Sequence, residues 1–86
     1  MMHRTAPSFW KHYQRLPNDV QKLADKNFQI LNRDPRHPSL HFKKVGNLWS
    51  VRIGLNHRAL AIEDGSDFIW GWIGTHDEYN RMIRDH

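Results

Sequence analysis

The sequence predicts an α+β domain in which an N-terminal α-hairpin packs on a twisted antiparallel sheet of about four strands, followed by a short C-terminal helix. Two changes in hydrophobic period predict this order. Apolar residues recur at helical spacing before residue 38, alternate along 40–73 between closely spaced turns, and return to helical spacing after 75. The chain has 86 residues, of which 38% are hydrophobic and 12% aromatic. We therefore expect one domain over 1–86 with its own core.

Two helices are predicted before the strands begin. The first follows Pro7, which suits a first helical turn, and Pro17 ends it. The second carries an apolar stripe over 20–31 and ends before Asp34-Pro35. Residues 2–6 are predicted as a short first strand with a weak apolar signal.

The middle of the chain is predicted to form an antiparallel meander. Gly46-Asn47 marks one of its turns, and apolar and polar residues alternate from Trp49 to Ile53, as in a half-buried strand. Residues 58–62 are apolar at nearly every position, which is typical of a central strand. In the last strand, Trp70 and Trp72 stand two residues apart, so alternation predicts that they face the same way.

A capping box predicts where the last helix begins. In Thr75-x-x-Glu78 the threonine accepts a backbone N–H bond and the glutamate reaches back to the cap. His76 then occupies the first helical position, with Tyr79 on the same face. A helix N-terminus favours phosphate, and histidine transfers protons near neutral pH, so His76 is the first catalytic candidate. The alternative is a surface histidine in a first helical turn.

Positive charge is concentrated in one segment. The chain carries a net charge of +4, yet residues 36–62 contain five Lys and Arg and no Asp or Glu. A concentrated basic surface attracts polyanions through Coulomb forces and counterion release. Because these bases fall on predicted strands, a nucleic-acid surface is favoured over a solvated face.

Within that segment, Arg52 and Arg58 are the main phosphate-binding candidates. Arg52 is predicted to point away from the core, and Arg58 opens the neighbouring strand, so the two guanidiniums would come near each other if these strands pair as a hairpin. A guanidinium forks onto phosphate oxygens. Ordinary surface arginines are the alternative. Lys43 and Lys44 are predicted to point to opposite faces, so at most one joins this surface.

Histidines and tryptophans of the same region are weaker candidates. His57 and His41 could stack on bases or hydrogen-bond to them, but they could equally be edge residues. His37 and His41 stand four residues apart, but Pro38 prevents the regular helix that would align them on a metal. We therefore predict no metal site.

Several function classes are excluded or not supported. The absence of cysteine excludes disulfides, thiol nucleophiles and cysteine-ligated zinc. No glycine-rich phosphate loop, dinucleotide fingerprint or Gly-x-Ser-x-Gly elbow occurs, so we expect neither a cofactor nor a small-molecule ligand. The longest apolar run is seven residues, where a membrane span needs about 20, and no secretion leader opens the chain. A cytoplasmic location is the expectation.

The order of elements and three stretches of sequence resemble the RelE/ParE superfamily of bacterial type II toxin–antitoxin toxins. The resemblance covers nearly the whole chain. The stretches are Leu16-Pro17 with the helix and loop that follow to Leu40, Trp49 to Leu60, and Trp72 to Tyr79.

Gly-Thr-His at 74–76 favours the RelE/YafQ-like branch, whose members cleave mRNA, usually on the ribosome. The resemblance implies that Arg58 stabilises the phosphorane, that Arg52 grips phosphate and that His76 transfers a proton. Attack by the substrate's own 2′-hydroxyl would require no metal or cofactor. Tyr79 and Lys44 would position the RNA, with Lys43 and His57 as further contacts. The expected partners are a cognate antitoxin, mRNA and the ribosome.

Two other functions remain open from the sequence. A ParE-like toxin that inhibits DNA gyrase, or a catalytically inactive member, would use the same basic sheet to dock a protein. A plain RNA-binding module would show steep salt dependence without cleavage. The nuclease hypothesis also lacks a general base, because Glu63 is predicted to alternate away from Arg58.

Overall fold

The computed structural model describes residues 2–84, so the ends of the predicted 1–86 domain lie outside the described part. Three helices and five strands form it, with one 3-10 turn. In chain order they are β1 (His3–Thr5), α1 (Pro7–Tyr13), α2 (Asn18–Arg33), the turn Pro38–Leu40, β2 (Lys43–Val45), β3 (Leu48–Ile53), β4 (His57–Asp64), β5 (Asp67–Thr75) and α3 (His76–Arg84). The predicted α+β class and the order of its elements are confirmed.

The sheet contains one strand more than the antiparallel meander predicts. Its order is β1-β5-β4-β3-β2, and β2 to β5 pair antiparallel as predicted. β1 adds a parallel edge, in which His3 is the register partner of Phe68 and Thr5 that of Trp70. The prediction of about four antiparallel strands is corrected to five strands in a mixed sheet. A three-residue strand has too little alternation to show its pairing partner in the sequence.

The main core lies between the two N-terminal helices and one face of the sheet. Helices α1 and α2 contribute Phe9, Ala24 and Leu31, and the sheet contributes buried residues from β3, β4 and β5. The buried amide of Asn27 donates a 2.9 Å hydrogen bond to the carbonyl oxygen of Arg52. This bond satisfies a buried polar group and fixes α2 beneath the strand that carries Arg52.

A β-bulge in β5 reverses the facing of its two tryptophans. Leu60 pairs with Trp72 and Ala61 pairs with Trp70, so Gly71 is the extra residue between them. Trp70 is fully buried in the core on the helix side. Trp72 shares the opposite face with Leu60. The prediction that both tryptophans face the same way is wrong, because the inserted residue shifts the alternation by one.

The capping box places α3 as predicted. The backbone N–H of Thr75 donates to Glu78 Oε1 at 2.9 Å, and the backbone N–H of Glu78 donates to Thr75 Oγ1 at 3.2 Å. These bonds from Thr75 lower the pKa of Glu78. Tyr79 is buried, and α3 packs against β4 and β5. Within residues 2–84 no helix is both long enough and apolar enough to cross a membrane.

His3 makes the β1 edge sensitive to pH. Its ring stacks on Phe68 at 5.3 Å, and its Nδ1 accepts a 3.0 Å hydrogen bond from Trp70 Nε1. Burial lowers the pKa of His3 below its ordinary 6.5, which favours the neutral ring in the folded state. The neutral His3 ring therefore contributes fully to folding stability above its unfolded pKa of about 6.5. This contribution is lost as the pH falls from that value through the lower pKa of His3 in the folded state.

We expect the melting temperature of His3→Gln to depend less on pH than that of wild type between about pH 7.5 and about pH 5. Glutamine can accept the Trp70 bond through its side-chain oxygen but does not titrate. Thermal unfolding across this range measures the difference. His37→Gln, at an exposed loop position, is the matched control. An equal loss of stability in wild type and His3→Gln as pH falls would contradict the prediction.

Candidate functional site

A cleft of about 250 Å³ opens on the sheet face opposite the main core, at the start of α3. It collects side chains from β2, β3, β4, α3 and the loop before β2. The lining residues are His41, Lys43, Ser50, Arg52, Arg58, His76, Tyr79, Asn80 and Ile83. The cleft thus brings together the three predicted catalytic residues with Lys43 and Tyr79, and its lining includes no carboxylate.

Arg52 and Arg58 form a cationic pair across two strands. They are direct register partners in the β3–β4 ladder, so both point to the same face. Burial and the charge of Arg52 lower the pKa of Arg58, while its Nη1 donates a 2.7 Å hydrogen bond to the carbonyl oxygen of His57. Arg52 Nε is buried and has no hydrogen-bond partner among residues 2–84. Two close guanidinium groups, one with an unsatisfied donor, are costly unless an anion binds between them.

His76 is held by its backbone, its ring face and one ring nitrogen. Its N–H donates a 2.7 Å hydrogen bond to the carbonyl oxygen of Asn56, which ties α3 to the β3–β4 turn. Its ring stacks on Tyr79 with centroids 6.0 Å apart. The Asn80 amide nitrogen lies 3.3 Å from His76 Nδ1. Because the amide occupies Nδ1, Nε2 is the nitrogen left to exchange a proton with a substrate.

His41 occupies the wall of the cleft in a left-handed backbone conformation. Its φ is 44°, the one positive φ outside glycine in the described part of the chain. The preceding residue, Leu40, is fully buried, and the following residue, Phe42, packs in the aromatic cluster of the core. The chain is thus anchored on both sides of a strained residue. Backbone strain of this kind persists only where the surrounding structure holds the residue in place, and it is found most often at functional sites.

The chain is similar to one described family over most of its length. A sequence profile of the ParE-like toxin domain matches residues 18–81. The chain belongs to this family of toxins. Its membership of the RelE/ParE superfamily of toxin–antitoxin toxins, predicted from the sequence stretches, is confirmed. No curated protein sequence matches this toxin significantly.

Solved toxin structures share the fold of this ParE-like toxin. The toxin in the RelB–RelE antitoxin–toxin complex of Methanococcus jannaschii has a TM-score of 0.70 at 18% identity, covering 92% of this chain and 96% of that one. The YoeB/ParE toxin of Agrobacterium tumefaciens has a TM-score of 0.67 at 20% identity, covering 88% and 99%. The isolated RelE toxin of E. coli has a TM-score of 0.61 at 10% identity, covering 98% and 96%.

Two predicted RNA contacts of the toxin lie away from the cleft. Lys44 is the register partner of Trp49, on the face opposite Lys43, and its Nζ lies 3.9 Å from Glu63 Oε1. His57 stands two residues before Ala59 on β4, so both point to the same face of the sheet, the face of the main core. The structure therefore brings Lys43 to the cleft but not Lys44 or His57. The predicted separation of Glu63 from Arg58 agrees with this contact to Lys44.

Ser50 and Asn80 are cleft residues that the sequence reasoning missed. Ser50 has the same parity as Arg52 on β3, and Asn80 follows His76 by one helical turn. Both spacings were visible in the sequence once those two residues were chosen. Among residues 2–84, no group of three or more His, Asp or Glu side chains is arranged to hold a metal ion.

Proposed function

We propose that this toxin is an endoribonuclease that cleaves mRNA by attack of the substrate's own 2′-hydroxyl. The observation that carries the proposal is the single cleft in which a cationic arginine pair meets two histidines. The arginines suit a phosphate, and the histidines suit proton transfer at both reacting oxygens. We further propose that the toxin acts in the cytoplasm on mRNA engaged by the ribosome.

The arginine pair would stabilise the charge that develops at phosphorus. Oxygen O2′ bonds to the adjacent phosphorus and the P–O5′ bond breaks, which leaves a 2′,3′-cyclic phosphate and a 5′-hydroxyl. Negative charge grows on the non-bridging oxygens during this step. Arg52 and Arg58 are already oriented on one face and partly desolvated, so they stabilise this charge with little reorganisation.

The two histidines would carry the protons. His76 gives a proton to O5′ from Nε2, because Asn80 engages its other ring nitrogen. A half-turn of the Asn80 amide presents its oxygen to Nδ1–H, which supports the protonated ring. His41 takes the proton from the 2′-hydroxyl, since the cleft lining offers no carboxylate for this role. Tyr79 and Lys43 orient the RNA.

The proposal includes an antitoxin partner. One neighbour of the same fold is the toxin of an antitoxin–toxin complex. We propose that a cognate antitoxin binds this toxin too and blocks access to the cleft.

Primer extension on translated mRNA tests the nuclease proposal. We expect wild type to produce defined cleavage ends and His76→Ala to lower the cleavage rate roughly 10²–10⁴-fold, as for loss of an acid–base group. Lys26→Ala is the matched control, because this exposed lysine lies on α2, across the sheet from the cleft, and should retain cleavage. Full toxicity of the double variant His76→Ala/Arg58→Ala on induction in bacteria would overturn the assignment.

A gyrase-inhibiting toxin is the second candidate, because the matching profile is that of the ParE-like toxin domain. Such a toxin would dock on gyrase without cleaving RNA. It would block supercoiling by purified gyrase, induce filamentation and leave mRNA intact. Gyrase inhibition by wild type and His76→Ala alike, with no mRNA ends, would favour this second candidate.

A further inference from the structure

A second, larger groove of about 640 Å³ lies beside the cleft, under the 3-10 turn before β2. It shares two lining residues with the cleft, His41 and Lys43. The two depressions therefore form one continuous surface. A polymer bound with a phosphate at the arginine pair could extend its neighbouring unit past His41 into this groove.

One wall of the groove presents aromatic surface. Phe42 and Trp49 lie with ring centroids 4.9 Å apart and are both half-buried. On its inner side, Phe42 packs edge-on against buried Phe68 at 5.3 Å. The inner contacts hold these rings in place, so they offer a preformed platform for a planar ligand.

The rest of the groove suits an anion. Arg36 and Lys43 line it, and no acidic residue occurs among its lining residues. The nearby carboxylate of Glu63 accepts a hydrogen bond from Trp49 Nε1 and lies beside Lys44. That carboxylate is thus already engaged and does not reverse the local charge.

His37 supplies an oriented donor at the groove. Ser39 Oγ lies 2.8 Å from His37 Nδ1, and the backbone N–H of Ser39 lies 3.2 Å from the same nitrogen. The backbone N–H can only donate, so this contact requires Nδ1 to be an acceptor. The proton of the neutral ring is therefore on Nε2, where it can donate to a phosphate oxygen or a base. A cation, an imidazole donor and aromatic faces together match a nucleotide better than a peptide or a lipid.

We infer that this groove binds the nucleotide next to the scissile phosphate in a single-stranded RNA, with its base on the Phe42–Trp49 wall and its phosphate at Arg36 and His37. The inference rests on the proposed nuclease function and specifies how that site holds its substrate. The toxin would then bind RNA at the neighbouring nucleotide as well as at the scissile phosphate.

Binding of a non-cleavable RNA tests the inference without any cleavage step. The probe is a fluorescein-labelled single-stranded RNA hexamer with 2′-O-methyl groups, measured by anisotropy over a salt series. We expect Arg36→Gln to weaken binding and reduce the salt slope by about 0.7, the contribution of one phosphate contact on a single strand. Arg33→Gln, an exposed arginine at the end of α2, is the matched control and should bind as wild type does.

Removal of single bases tests the stacking wall. In a set of hexamers with one abasic position each, we expect one position to weaken wild-type binding about fivefold or more. In Arg36→Gln/His37→Ala that dependence should shrink, because the nucleotide is no longer held in the groove. Equal binding by wild type, the groove variants and Arg33→Gln would overturn the inference, as would wild type that does not bind the hexamer.

The two proposals fail separately. Primer extension on translated mRNA decides whether wild type is a nuclease, and the hexamer decides whether the groove holds RNA. If the groove variants bind the hexamer as wild type does but no longer bind the cognate antitoxin, the groove is a binding site for the antitoxin and not for RNA. In that case cleavage by wild type would still support the nuclease.

Discussion

Arg58→Gln is expected to lower the rate of mRNA cleavage roughly 10²–10³-fold while leaving the domain at least as stable as wild type. The loss follows because glutamine has no positive charge for the developing phosphorane. Stability is retained because the substitution removes the repulsion between Arg58 and its register partner Arg52. The glutamine amide can still donate to a nearby backbone carbonyl, as Arg58 does to His57. Primer extension and thermal unfolding measure the two effects.

Two further variants test whether cleavage depends on a positive charge at the cleft or only on the net charge of the protein. Arg58→Lys keeps the charge but not the planar fork, so its cleavage rate should fall between those of wild type and Arg58→Gln. Arg84→Gln removes an exposed cation outside the cleft and should change neither the cleavage rate nor the melting temperature. Wild-type cleavage by Arg58→Gln would remove this arginine from the mechanism, and marked destabilisation of the variant would show that it has a structural role.

Local patterns predicted much of this fold. The alternation from Trp49 to Ile53 placed β3, and Thr75-x-x-Glu78 placed the start of α3. In both cases the sequence pattern and the structure it predicts involve residues that are close together in the chain. The strand β1 was predicted over 2–6, but its parallel pairing with β5 and the bulge at Gly71 were not predictable in this way. Pairing with a distant strand and insertion of one residue leave no periodic trace in the sequence.

The candidate site shows the same limit. Arg52 and Arg58 could be paired from the sequence because Arg52 alternates away from core residues and Arg58 opens the next strand after a short turn, as the antiparallel pairing of β3 and β4 bears out. Choosing between Lys43 and Lys44 required the register of β2 on β3, which sequence alternation alone does not give. The position of His41 depends on a left-handed backbone conformation that is uncommon outside glycine and that no local sequence pattern indicated. The arginine pair was thus predictable, whereas the group proposed as general base was not.

His41→Gly is expected to lower the cleavage rate roughly 10²–10⁴-fold without destabilising the fold. The variant removes the imidazole proposed to take the 2′-hydroxyl proton. Glycine adopts the positive φ of 44° at this position freely, whereas a residue with a Cβ is strained there by about 1 kcal/mol or more. Cleavage of translated mRNA and chemical denaturation measure the two quantities.

His41→Ala separates the lost ring from the changed backbone. It should cleave as poorly as His41→Gly, because both lack the imidazole, but it should be about 1 kcal/mol less stable, because alanine keeps the strain. Free imidazole added to His41→Gly should restore part of the cleavage rate, since it can accept the proton in the space that the side chain vacates. An undiminished rate in both variants would remove His41 from the mechanism. A diminished rate that imidazole does not raise would instead assign His41 to shaping the cleft, because a group that only holds the backbone cannot be replaced by a diffusible base.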